Sequence, residues 1–307
     1  MITAFIMFVG TLKGGSGFEP SANALPSFAI LFIIALTYQA LLVYDTLAQK
    51  NTMQLLGLCF YAACLCVYAG LQYNQVDRAV EALEVEGWVG RSAWSILKPS
   101  LITIILITGL YLVAICCISV KLYGEFQWTI YKQLNADLDM QNRYLDFKIY
   151  ICLLKFDLFF FLGLMCQFIT MSTTIMDVLY ILTFSSLPVI CITLIASASC
   201  MRHESKTGML IVLAMHTGIF AWFIYMTVLM YLPSRADDFL PARKQLSFFV
   251  APTLILEVAT IGMAIKCMRN FDKGLKVHVT GQSRARQMLE EHEADEMEML
   301  MLRESNR

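Results

Sequence analysis

Four ionisable residues, Lys155, Asp157, His216 and Glu257, stand inside long apolar runs of this 307-residue chain. A charge is costly in hydrocarbon, so such residues usually face a bundle interior and pair, relay protons or meet a solute. Counted from the nearest polar end at about 1.5 Å per residue, each lies about 10–13 Å inside its run, which places all four in one layer. Successive helical residues turn by about 100°, so Lys155 and Asp157 point in opposite directions and need different partners. Thr253, Glu257, Thr260 and Ala264 recur at i, i+4, i+7 and i+11, a small and polar stripe suited to contact with other helices. Pro252 precedes Glu257 and removes a backbone donor, which allows a kink. The plainer reading of Glu257 is a neutral acid bonded to the stripe's hydroxyls, with no transport role. Lys155 can also snorkel to the interface on its long stem, and a lone His216 beside Val212, Phe220, Phe223 and Thr227 is often structural.

The runs that hold these residues define the fold class. Seven stretches, at 25–44, 53–73, 99–120, 149–171, 178–200, 209–232 and 247–266, are each about the 20 residues a helix needs to cross hydrocarbon. Only helices and closed barrels satisfy their backbone there. The expected architecture is an all-α polytopic transmembrane bundle of about seven spans. Composition agrees: 58% of residues are hydrophobic and 15% charged, against about 45–50% and about 25% in soluble domains. The expected divisions are a lumenal segment at 1–24, the bundle at 25–266 and a cytosolic tail at 267–307.

Basic residues set the expected orientation. Fifteen of the 23 Lys and Arg fall on the side of the 45–52, 121–148 and 201–208 loops and the tail, against seven on the other. This excess predicts a cytosolic C-terminus. On that side, segment 124–148 reads as an amphipathic cytosolic helix before the fourth span, carrying Phe126, Ile130, Leu134, Leu138, Tyr144 and Leu145. The segment and the tail are the expected surfaces for cytosolic protein partners, beside the lipid bilayer itself. The apolar run at 1–10 is too short to span, and reads either as an interfacial segment or as the remnant of a further helix. Asp177 is expected to cap the fifth span.

Other chemistry finds no support in the residues. The ten cysteines lie in or at the edges of spans, so no disulfide framework is expected; Cys116, Cys117, Cys200 and Cys267 near span ends could accept palmitate. No N-x-[ST] sequon, H-E-x-x-H, G-x-S-x-G, paired intramembrane aspartates or metal-spaced cluster occurs. No cofactor, metal or nucleic acid is expected, and the chain reads as a non-enzyme. Seven spans also fit a receptor, but no D-R-Y-like triplet follows the third span and no N-P-x-x-Y lies in the seventh.

Two runs carry a likeness. The segment LAQKNTMQLLGLCFYAACLCVYAGLQYNQV and the segment YKQLNADLDMQNRYLDFKIYICLLKFDLFFFLGLMCQF, with its L-L-K-F-D-L-F-F-F block, resemble an uncharacterised family of fungal Golgi apparatus membrane proteins. The resemblance implies a multi-pass protein of Golgi or neighbouring endomembranes, with no established activity to carry over. It also implies a further hydrophobic segment ahead of the first span. The expected function is that of a scaffold or trafficking factor, with a small-solute or proton-coupled transporter using the charged layer as the alternative and a seven-helix receptor as the third possibility.

Overall fold

The computed structural model describes residues 20–49, 51–85, 92–133, 138–171, 178–232 and 243–271. Among these residues it is all helical, with seven helices that are each long and apolar enough to cross a membrane. They are α1 (Pro20–Gln49), α2 (Thr52–Val85), α3 (Ser92–Gln133), α4 (Leu138–Met171), α5 (Val178–His203), α6 (Lys206–Tyr231) and α7 (Arg243–Arg269). The chain is thus a multi-pass membrane protein, as its apolar runs predict. Several helices outrun the apolar stretches: α2 continues past residue 73 and α3 starts ahead of Pro99. Polar residues can prolong a helix beyond hydrocarbon, because the backbone bonds that make it are the same in water.

Residues 124–133 and 138–148 of the expected amphipathic segment are helical, and residues 134–137, with Leu134, lie outside the described residues. Its first part ends α3 and its last part, from Leu138, opens α4. The part from Leu138 runs on into the fourth span, as expected. Residues 1–19, Asp177 and the tail beyond Phe271 lie outside the described residues.

α4 is the centre of the bundle. It packs against α1, α2, α5 and α7 and is the most buried of the spans. The Phe159–Phe160–Phe161 run shows why. Consecutive residues point about 100° apart on a helix, yet all three rings are buried, so neighbours must surround α4 on several sides. Phe159 meets Tyr38 of α1 and Tyr61 of α2, Phe160 meets Phe249 of α7, and Phe161 meets Phe223 of α6. The Tyr61–Phe159 pair packs edge to face with centroids 4.8 Å apart, a geometry the ring quadrupoles favour. Close approach of α2 and α4 needs a small residue: a Cβ at Gly57 would run into the Phe156 ring.

α3 is the opposite case. It packs mainly on α2, is the most apolar and least buried span, and exposes Ile102, Leu106, Leu110, Val113 and Val120. In a bilayer such a face is at rest against lipid tails. Burial thus separates a helix that organises the interior from one that faces lipid.

Short connections fix neighbours. Between α5 and α6, Glu204 takes a left-handed conformation (φ 51°), while the Ser205 and Glu204 amides donate to the Cys200 and Met201 carbonyls. This is the Schellman arrangement at a helix C-terminus. Ser205 then caps α6 by accepting from the Gly208 amide at 3.3 Å. A reversal this tight leaves α5 and α6 side by side, which brings Ser197 and His216 together.

Candidate functional site, a polar layer inside the bundle

α6 buries one stripe: Met209, Val212, His216, Ile219, Phe223, Met226 and Met230. The spacing of three and four residues puts them on one face, so His216 is carried inward with its apolar neighbours. Its side chain is fully buried. His216 Nδ1 lies 2.9 Å from Glu257 Oε1 on α7, and His216 Nε2 lies 3.0 Å from Ser197 Oγ on α5. The Ser197 hydroxyl donates back to the Thr193 carbonyl at 2.6 Å, the i−4 bond open to a helical serine. Three helices are thereby joined through one imidazole.

The α7 stripe faces inward along its length: Thr253, Glu257, Thr260 and Ala264 are all buried. Its two hydroxyls do not serve Glu257. Thr253 Oγ1 donates to its own helix at the Phe249 carbonyl (2.6 Å). Thr260 Oγ1 donates across to Asp157 Oδ2 of α4 at 2.5 Å. The acid's partner is the histidine, and the threonine's is the other acid. α7 continues through Pro252 as one helix.

Asp157 is fully buried, and its Oδ1 has no hydrogen-bond partner among the described residues. The same holds for Glu257 Oε2, while the hydroxyl of buried Tyr150 lies beside Ser197 of α5. Tyr150 and Asp157 are seven residues apart on α4 and share one of its faces. Thr260 follows Glu257 by three residues, so the two carboxylates are about one helical turn apart. Lone pairs left empty at such depth are unusual, since buried polar groups are nearly always bonded.

Lys155 belongs elsewhere. It pairs with Asp45 Oδ2 of α1 and donates to Gln54 Oε1 of α2 at 3.2 Å. Asp45 also accepts from Gln54 Nε2 at 2.6 Å and Gln49 Nε2 at 2.5 Å. This second cluster is part-exposed, at 24% for Lys155 and 32% for Asp45. Nearer the same end, Lys266 of α7 donates to Asp146 Oδ1 of α4 at 2.7 Å.

The four candidate residues therefore divide. Asp157, His216 and Glu257 gather around α7, while Lys155 faces away from them to α1 and α2, as the opposed directions of residues 155 and 157 require. Sequence reasoning missed Asp45, Gln54 and Ser197. Asp45 sits just past the end set for the first apolar run, whereas α1 continues to Gln49. Ser197 lies in an Ala-Ser-Ala-Ser run that signals close helix packing and nothing more. Among the described residues, no group of His, Cys, Asp and Glu could hold a metal ion. None of the ten cysteines forms a disulfide.

The chain is similar to the UPF0658 Golgi apparatus membrane protein of Schizosaccharomyces pombe. The two are 25% identical over 281 residues, a stretch covering 83% of this chain and 78% of that protein. The likeness to uncharacterised fungal Golgi membrane proteins is thereby borne out over most of the chain. No protein-family model matches the chain, and no solved structure matches it.

Proposed function

We propose that this chain is a multi-pass protein of Golgi membranes that organises or traffics other components and catalyses no reaction. The relative's location supports the compartment. One observation carries the scaffold role: Asp157, His216 and Glu257 are all fully buried, and each is bonded to a different helix from its own. Polar bonds of this kind hold helices in a fixed mutual setting, which suits a rigid platform. The basic excess supports a cytosolic C-terminus and α3–α4 connection, where protein partners would meet them.

Two experiments test the reading. A fluorescent fusion should give Golgi-like puncta, and protease added to sealed vesicles should remove a C-terminal tag. A plasma-membrane ring, or a tag protected until detergent is added, would overturn location or orientation respectively. In proteoliposomes the purified chain should leave proton and solute gradients intact.

Proton-coupled transport is the second reading, favoured by the unpartnered Glu257 Oε2 and Asp157 Oδ1. Intramembrane acids with free oxygens are the usual stations of a proton path. A proton flux in proteoliposomes that disappears in Glu257→Gln would decide for it.

A further inference from the structure

The hydrogen bonds around His216 leave little freedom in where its protons sit. A hydroxyl has one proton to donate. Ser197 commits its proton to the Thr193 carbonyl, an acceptor only, at 2.6 Å. Ser197 Oγ can therefore serve His216 Nε2 only as acceptor, and Nε2 must carry the hydrogen of the 3.0 Å contact. At the other nitrogen, Nδ1 stands 2.9 Å from Glu257 Oε1. A neutral imidazole with its hydrogen on Nε2 presents a bare lone pair there. Against an ionised carboxylate, two lone pairs would meet at hydrogen-bond distance in a dry core, which is repulsive.

We propose that the His216–Glu257 pair is a buried proton-binding site, holding one proton more than a neutral imidazole and an ionised carboxylate together would hold. The proton lies on Nδ1, giving imidazolium and carboxylate, or on Oε1, giving imidazole and carboxylic acid. Passing between them it breaks one bond and forms the other, and the pair has zero net charge in both forms. The ligand is a proton and not a metal ion, because no metal-holding set of side chains occurs among the described residues.

The surroundings agree. The ionisable group beside Glu257 is Asp157 from α4, and Tyr150 of α4 lies beside Ser197, the partner of the imidazole. α2 meets α7 through Tyr68 at Phe249, two turns from Glu257. None of these supplies a cation, and Lys155 is committed to Asp45. Without the bound proton, the Glu257 carboxylate would face no positive charge in a dry core. This inference does not rest on the scaffold reading, since it follows from the hydrogen bonds of the pair alone.

The test uses the full chain in lipid nanodiscs with His203, His278 and His292 changed to Gln, so that His216 gives the sole 15N-histidine signal. At neutral pH, NMR should find Nε2 protonated. Either Nδ1 is protonated as well, or a protonated-carboxyl infrared band is present that is lost in Glu257→Gln. Should that variant fail to fold, the 13C shift of the Glu257 carboxyl in the parent protein reads the same proton. A bare Nε2 with hydrogen on Nδ1, or a neutral imidazole beside a fully ionised Glu257, would overturn the proposal.

Discussion

Thr260 Oγ1 of α7 donates to Asp157 Oδ2 of α4 at 2.5 Å, and both side chains are fully buried. This bond spans the interface between the central helix and α7, and it is the contact recorded for the Asp157 carboxyl. Thr260→Val keeps the shape and removes the donor. The buried acid is then unsatisfied, at a cost of about 1–3 kcal/mol. Asp157→Asn keeps an acceptor for Thr260 and should cost less. Thermal unfolding in detergent, followed by thiol-reactive fluorescence, ranks the two; equal stability of Thr260→Val and the parent would show the bond to be idle.

At Glu257 the informative pair is Gln and Leu. Glu257→Gln retains groups that can bond His216 and is expected to stay within about 1 kcal/mol of the parent. Glu257→Leu strands His216 Nδ1 in an apolar core, at about 1–3 kcal/mol. Thr253 should be indifferent to both changes, because its hydroxyl is bonded within α7. Expression level and melting temperature of the two variants are the readouts, and a Leu form as stable as the Gln form would refute the role given to the 2.9 Å contact.

Gly57→Ala tests the α2–α4 approach. The new Cβ meets the Phe156 ring, so one helix or the ring must shift, costing about 1–3 kcal/mol. Gly70 on the same helix is the control, as a Cβ there meets nothing within 4 Å. Gly70→Ala should be neutral or stabilising by up to about 1 kcal/mol. If both glycines respond alike, the close approach is not what selects Gly57.

The Lys155–Asp45 pair should matter little by itself. Its members are 24% and 32% exposed, with Asp45 four residues from the end of α1, and pairs that reach interfacial water there are typically worth about 0–1 kcal/mol. In a double-mutant cycle with Lys155→Met and Asp45→Asn, the coupling is expected below about 1 kcal/mol. Gln49 and Gln54 still serve position 45 when the lysine is gone. A coupling of several kcal/mol would mean that the cluster is far drier than its exposure indicates.

Much of the architecture is legible along the chain, because a membrane span is a local property. Twenty apolar residues must be helical in hydrocarbon whatever they pack against, and seven such runs stand in this sequence at the places where seven helices stand in the structure. The inward turn of α6 and of the Thr253–Ala264 stripe is also local, since it follows from 3.6-residue periodicity. The opposed directions of Lys155 and Asp157 follow from the same rule.

Only the tertiary structure decided who meets whom. His216 and Glu257 are 41 residues apart, Asp157 and Thr260 are 103, and Lys155 and Asp45 are 110. Which of these touch depends on how far each helix is rotated and slid against its neighbours. That setting is fixed by ring packing around Phe159–Phe161, by the gap at Gly57 and by the tight turn at Glu204, and each of these acts between helices. Depth along a span can be counted from its ends, and so the four ionisable residues look like one layer. Rotation about the helix axes, relative to partners distant in sequence, split them into a sealed group around α7 and a part-exposed pair facing α1.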